Sequence, residues 1–240
     1  MSEDPARDAA RGDFVRRLGH EFRDPGLLEL ALTHRSWANE RTSDATYERL
    51  EFLGDAVLGL LAAEWLFQRH DEAPEGELSR RKSYLVSERV LAAEGRRLGL
   101  GEALRLGVGE ERSGGRSKPS LLADALEAVI GAVFLDGGLQ AARGPVVRLL
   151  ERAAASGPPL ELRDAKSRLQ EVTQGLDREL PAYRHVASEG PDHEKVFTVE
   201  CWVGERLVAI GQGGSKKLAE QRAAAGALAA LEASAGPADD

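Results

Sequence analysis

Apolar residues recur at three- and four-residue spacing through the first 155 positions, and strict alternation appears only later in the chain. The spacing predicts a short helix over residues 13–19, with Asp13 at its start and Gly19 at its stop. A second is opened by Asp24 as cap and Pro25 at the first position, and runs through Leu30 and Leu32 to Ser36. Residues 1–12 are polar and Ala-rich and read as a disordered tail, and residues 37–45 as a polar connection. Leu50, Leu53, Val57, Leu58, Leu60 and Leu61 then mark a long helix reaching Trp65. After a turn at 72–77, one helix is expected from Leu78 toward Leu98, ended by Gly99 and Gly101. The glycines of 108–120, with Arg112, Arg116 and Lys118, read as a mobile, locally basic loop. Ser120 is placed to cap a nearly all-apolar helix over 121–135, and a last one follows over 139–155.

Ser156-Gly157-Pro158-Pro159-Leu160 is a linker by composition, and the pattern changes beyond it. Residues 165–176 are helical in period, whereas 182–188, 195–203 and 206–212 alternate as strands, with a tight turn at Gly204-Glu205. Ser215 opens an Ala-rich helix over 216–233. The expected fold is therefore an all-α domain followed by a small α+β module, α-β-β-β-α, with both helices on one sheet face. The boundaries are a tail at 1–12, a first domain at 13–155, a linker at 156–163, a second domain at 164–234 and a tail at 235–240.

Acids interrupt the apolar helices. Glu48, Glu51 and Asp55 stand at i, i+3 and i+7, within about 60° of one helix face. Acids on a helix are most often a solvated face paired to arginines such as Arg49. Asp124 and Glu127, one turn apart in the greasiest helix of the chain, are harder to read as surface decoration. Two carboxylate pairs on two packed helices are the oxygen-rich donor set that Mg²⁺ or Mn²⁺ selects. The Arg80-Arg81-Lys82 run could touch phosphates or be a solvated face.

Composition limits the partners. Net charge is −8, with residues 161–233 carrying 10 basic and 12 acidic side chains, so any phosphate contact must come from a clustered patch. A single Cys201 excludes an internal disulfide and, with five scattered histidines, argues against zinc. No apolar run approaches 18 residues and no charged-then-apolar leader is present, which points to a cytoplasmic protein without a membrane segment.

Glu48-Arg49-Leu50-Glu51-Phe52-Leu53-Gly54-Asp55 resembles the signature of the bacterial ribonuclease III family, endonucleases that cut double-stranded RNA. Thr33-His34-Arg35-Ser36, Glu75-Gly76, Ser113-Gly114-Gly115, the run from Leu122 to Ala128 and the tail module fall in the family's order. The resemblance implies a helical nuclease domain followed by a double-stranded RNA-binding domain. It implies Glu51, Asp55, Asp124 and Glu127 as metal ligands, with Asp55 and Glu127 catalytic, Glu48 and Glu75 as supporting acids, and Phe52 as a plug into the partner of a homodimer. It implies Mg²⁺, with Mn²⁺ as a substitute, and 5′-phosphate and 3′-hydroxyl ends. Ribosomal precursors and structured messages would be its substrates. For the second domain it implies RNA contacts from Ser167, Gln170, Glu171, Gln174 and His193, and from Ser215, Lys216 and Lys217 at the start of the last helix, where lysines oppose the helix dipole unless an anion is near.

Two other readings stay open on the residues alone. A binding-only protein would use the tail module with the acids silent. A carboxylate-bridged di-iron bundle would need His three residues after a ligand Glu, where Gly54 and Ile130 stand instead.

Overall fold

The computed structural model describes residues 5–156, 160–176, 179–191 and 195–235. The chain divides into two compact units, Met1–Ala155 and Ser156–Asp240.

The first unit is helical: α1 (Pro5–Leu18), α2 (Pro25–Ala31), α3 (Arg35–Asn39), α4 (Glu48–Phe67), α5 (Glu75–Leu85), α6 (Glu88–Leu98), α7 (Leu100–Ala103), α8 (Val108–Arg112) and α9 (Pro119–Ala155). Asp24 caps α2 by accepting from the Gly26 N–H. The core is built where α4 and α9 cross, with Leu50, Val57, Leu58 and Leu61 facing Leu122, Leu126, Val129 and Val133, all buried. Two glycines set the crossing distance. A Cβ on Gly54 would lie 1.7 Å from the Glu127 carbonyl oxygen, and one on Gly131 would lie 2.3 Å from that of Leu50. The two backbones touch, and only hydrogen fits between them.

Several local expectations change. The stretch read as a tail is helical from Pro5, because Arg11 pairs with Asp8 on its own helix and with Glu29 on α2. The helix expected to continue to Ser36 ends at Ala31, and His34 starts a new one by accepting from the Ser36 N–H. The single helix expected over 78–98 is two, broken at Val86 and Ser87, with Ser87 extended at φ −68° and ψ 150°. The loop expected to be mobile contains α8 and a 3₁₀ turn, Gly115–Ser117, held by Arg116, whose guanidinium donates to the carbonyls of Gly101 (2.7 Å) and Leu104 (3.1 Å). The two helices expected after residue 120 are both present: they run on as α9 from Pro119 and are parted at Gly138, whose φ 74° and ψ −174° are not helical.

In the second unit α10 (Leu160–Leu176) begins inside the stretch read as linker, and β1 (Pro181–Glu189), β2 (Val196–Val203) and β3 (Arg206–Gly213) form an antiparallel sheet in that order. The α11 helix (Lys216–Ala235) lies so close to β3 that a Cβ on Gly211 would meet the Ala219 carbonyl at 2.2 Å. Small residues make this possible: Ala219, Ala223, Ala224 and Ala227 are buried with Leu169, Val199 and Cys201. Among the described residues no helix is long and apolar enough to cross a membrane.

Candidate active site

The close crossing of α4 and α9 decides where the acids go. With the Gly54 backbone against the Glu127 carbonyl, side chains one turn either side project into the same space. Glu51 from α4 and Asp124 and Glu127 from α9 each bring a carboxylate oxygen within 4.8 Å of the others, and all three are half-buried. They line an open cleft of about 620 Å³ together with Glu48, Asp55, His34, Arg35, Tyr47 and Lys118. Among the described residues none of the three has an ion-pair partner.

Their ionisation reports the strain. Burial pushes Glu127 up to about 7, and the charges of Asp55, Asp124 and Glu51 add to it. Burial likewise raises Glu51, helped by Asp124 and Glu48 and opposed by Arg35. Asp124 is raised by burial and by Glu88, with Lys118 and Arg35 opposing. Three acids that repel one another, sit partly out of water and lack a cationic partner fit a hard divalent ion, whose bonding to carboxylate oxygens would relieve both penalties. The donor set is all oxygen, which suits Mg²⁺ or Mn²⁺ better than iron held by imidazole.

The other expected residues are placed as follows. Asp55 is exposed and lines the cleft beside the trio. Glu48 sits at the rim, 3.8 Å from Arg35, and accepts from the Thr46 hydroxyl; Arg49 is not its partner. Glu75 is on the first turn of α5, accepts from the Ser79 hydroxyl at 2.6 Å, and lies outside the residues that line the cleft. Phe52 is 82% exposed. Ser167, Gln170, Glu171 and Gln174 are all exposed on α10 and, at i, i+3, i+4 and i+7, share one of its faces. Ser215 caps α11 by accepting from the Leu218 N–H, with Lys216 and Lys217 exposed beside it. His193 lies outside the described residues. The cleft also holds residues given no role from sequence: His34, Arg35, Tyr47 and Lys118. Their signal was faint, a polar cluster interrupting an apolar helix at 33–36 and one lysine in a glycine-rich loop.

Residues 24–153 match the model of a family described as ribonuclease-III-like, and residues 165–231 match that of the double-stranded RNA binding motif. The chain belongs to the ribonuclease III family. It is 48% identical to Ribonuclease 3 of Nitratidesulfovibrio vulgaris over 92% of this chain and 88% of that protein. It is 49% identical to Ribonuclease 3 of Heliobacterium modesticaldum over 90% and 93%. A solved nuclease domain of ribonuclease III from Campylobacter jejuni, described as flexible in a region involved in dimer formation, superposes with a TM-score of 0.56. It is 42% identical, covering 59% of this chain and 96% of that one. The first unit of this ribonuclease III-type endonuclease is thus a helical nuclease domain and the second a double-stranded RNA-binding domain, with the acid cluster in the former.

Proposed function

We propose that this endonuclease hydrolyses both strands of duplex RNA in the cytoplasm with Mg²⁺, or Mn²⁺ in its place, held by Glu51, Asp124 and Glu127 and completed by Asp55. The observation that carries this reading is the meeting of three unpaired, half-buried carboxylates from two helices in one open cleft. When bound, the ion supplies an activated water and neutralises charge on the phosphate and the leaving oxygen.

The chain's own residues do the rest. Glu127, pushed up to about 7, shares a proton with solvent near neutrality and releases it when a cation arrives. Arg35 and Lys118 on the cleft wall draw phosphate toward a pocket that is otherwise acidic. Breakage of the bond to the 3′ oxygen leaves a 3′-hydroxyl and places the phosphate on the 5′ side. Glu48 and Glu75 support substrate geometry from the rim and from α5.

The endonuclease acts as a homodimer. Phe52, Leu60 and Phe67 stand 82%, 56% and 72% exposed on α4, and with Ala56 and Ala63 they make one apolar stripe that a second copy would cover. Duplex RNA is held through Ser167, Gln170, Glu171 and Gln174 in one minor groove and His193 in the next, while Ser215, Lys216 and Lys217 clamp phosphates. Ribosomal precursors and structured messages are the substrates.

The test is cleavage of an end-labelled RNA duplex of several helical turns by wild type with Mg²⁺, with Ca²⁺, and by Glu127→Gln. Staggered double cuts in the first case and binding without cutting in the others are expected. Binding without cutting by wild type in Mg²⁺ would leave only an RNA-binding protein.

A further inference from the structure

His34 lies on the cleft wall with one ring nitrogen already committed. The N–H of Ser36 donates to its Nδ1 at 3.2 Å, and a backbone N–H can only donate, so Nδ1 carries no proton. The Ser36 hydroxyl, 2.7 Å from the same nitrogen, itself accepts from the Gly107 N–H at 2.8 Å, which turns its own hydrogen toward the ring. Both contacts therefore place the single proton of the neutral imidazole on Nε2. Burial lowers the pKa of His34, which favours the neutral ring, although Glu110 and Glu48 oppose the shift.

The seat of this imidazole is rigid. The His34 N–H donates to the Arg105 carbonyl at 3.1 Å, the Tyr47 N–H donates to that of Thr33 at 3.0 Å, and the rings of His34 and Tyr47 are 5.7 Å apart. Gly107 has to be glycine here, since a Cβ would fall 2.6 Å from the Ser36 carbonyl and 2.5 Å from the Glu40 carboxylate. Among the described residues Nε2 has no partner, and the ring lines the same cleft as Glu51, Asp124 and Glu127. Unlike a lysine or arginine, a neutral N–H donor adds no positive charge that would compete with a cation at those acids.

Resting on the nuclease reading above, we propose that His34 is a substrate-contacting residue whose Nε2–H donates to a non-bridging phosphate oxygen of the RNA strand in the cleft. Ser36 and Gly107 are the positioning residues that fix its tautomer.

Steady-state cleavage of duplex RNA in Mg²⁺ by full-length wild type, His34→Asn, His34→Gln and Ser36→Ala tests this. Asparagine keeps an acceptor for the Ser36 N–H, and so the helix start, but does not reach the Nε2 position; glutamine reaches it. The expected result is KM raised about five- to tenfold in His34→Asn, as for loss of one hydrogen bond. Its kcat and melting temperature should stay at the wild-type level, with KM largely restored in His34→Gln and intermediate in Ser36→Ala. The ¹⁵N shifts of the wild-type ring should show the proton on Nε2. An unchanged KM in His34→Asn, or a proton on Nδ1, overturns the proposal while wild-type cleavage keeps the nuclease reading. Wild type that does not cut takes down both.

Discussion

In the cleft of the first unit, Glu51, Asp124 and Glu127 are half-buried and each is harder to ionise than a free carboxylic acid. On the second unit Ser167, Gln170, Glu171, Gln174, Lys216 and Lys217 are exposed on helix surfaces. The acid trio is costly to the fold and depends on a packed crossing; the polar face costs the fold little and depends only on helices being present. Function that must concentrate charge is coupled to stability, whereas function that reads shape over a long surface is not.

Removing one member of the trio should have the largest effect, and only on the first unit. Glu127→Gln is expected to lower single-turnover cleavage by about 10³-fold or more, the scale of lost charge stabilisation at a reacting phosphate. Its affinity for duplex RNA in Ca²⁺ should stay within about twofold, because the second unit is untouched. Relief of repulsion should also raise the melting temperature of the ion-free protein.

Next in size is the crossing. Gly54→Ala puts a methyl group where the Glu127 carbonyl stands, and overpacking of this kind costs about 1–3 kcal/mol or more. Urea denaturation should show that loss, and Mg²⁺ titration should show weaker binding although no ligand has been changed. The contrasting change, Lys216→Ala with Lys217→Ala, should leave the urea midpoint and Mg²⁺ affinity alone. It should lower the slope of log RNA affinity against log salt by about two, roughly one for each phosphate that is no longer neutralised.

The most gradual effect is the pH dependence of the ion-free protein. Glu127 ionises near its ordinary 4.5 when unfolded but near 7 when folded, so between these values the folded state binds more protons and stability falls as pH rises. The melting temperature should decline from about pH 4.5 to about pH 7, level off above, and lose most of that decline in Glu127→Gln. Saturating Mg²⁺ should reverse it, since the ion replaces the proton.

The sequence shows which residues are out of place but not what they touch. Glu51 and Asp124 are 73 positions apart, and their period and their apolar surroundings mark both as unusual without showing that they meet. What Gly54 and Gly131 do is not contained in their own helices, since the structure shows each against the other helix's carbonyl. The misread segments share one cause. The stretch 5–12 is helical because Arg11 reaches Glu29, and residues 108–118 are ordered because Arg116 reaches Gly101 and Leu104, contacts that local propensity does not contain. The break at Val86 and Ser87 had a serine at the right place to signal a helix start, but the apolar spacing ran through it. The strands of the second unit were legible nearly to the residue, because alternation and a two-residue turn are local properties.

The contact of Gly54 with the Glu127 carbonyl also means that the separation of the two helices beneath the carboxylates is gauged by main chain. The site thus behaves as a caliper whose jaws are closed in the hydrophobic interior. A single methyl group hidden from solvent is therefore expected to shift the frame from which the carboxylates reach, without touching any of them.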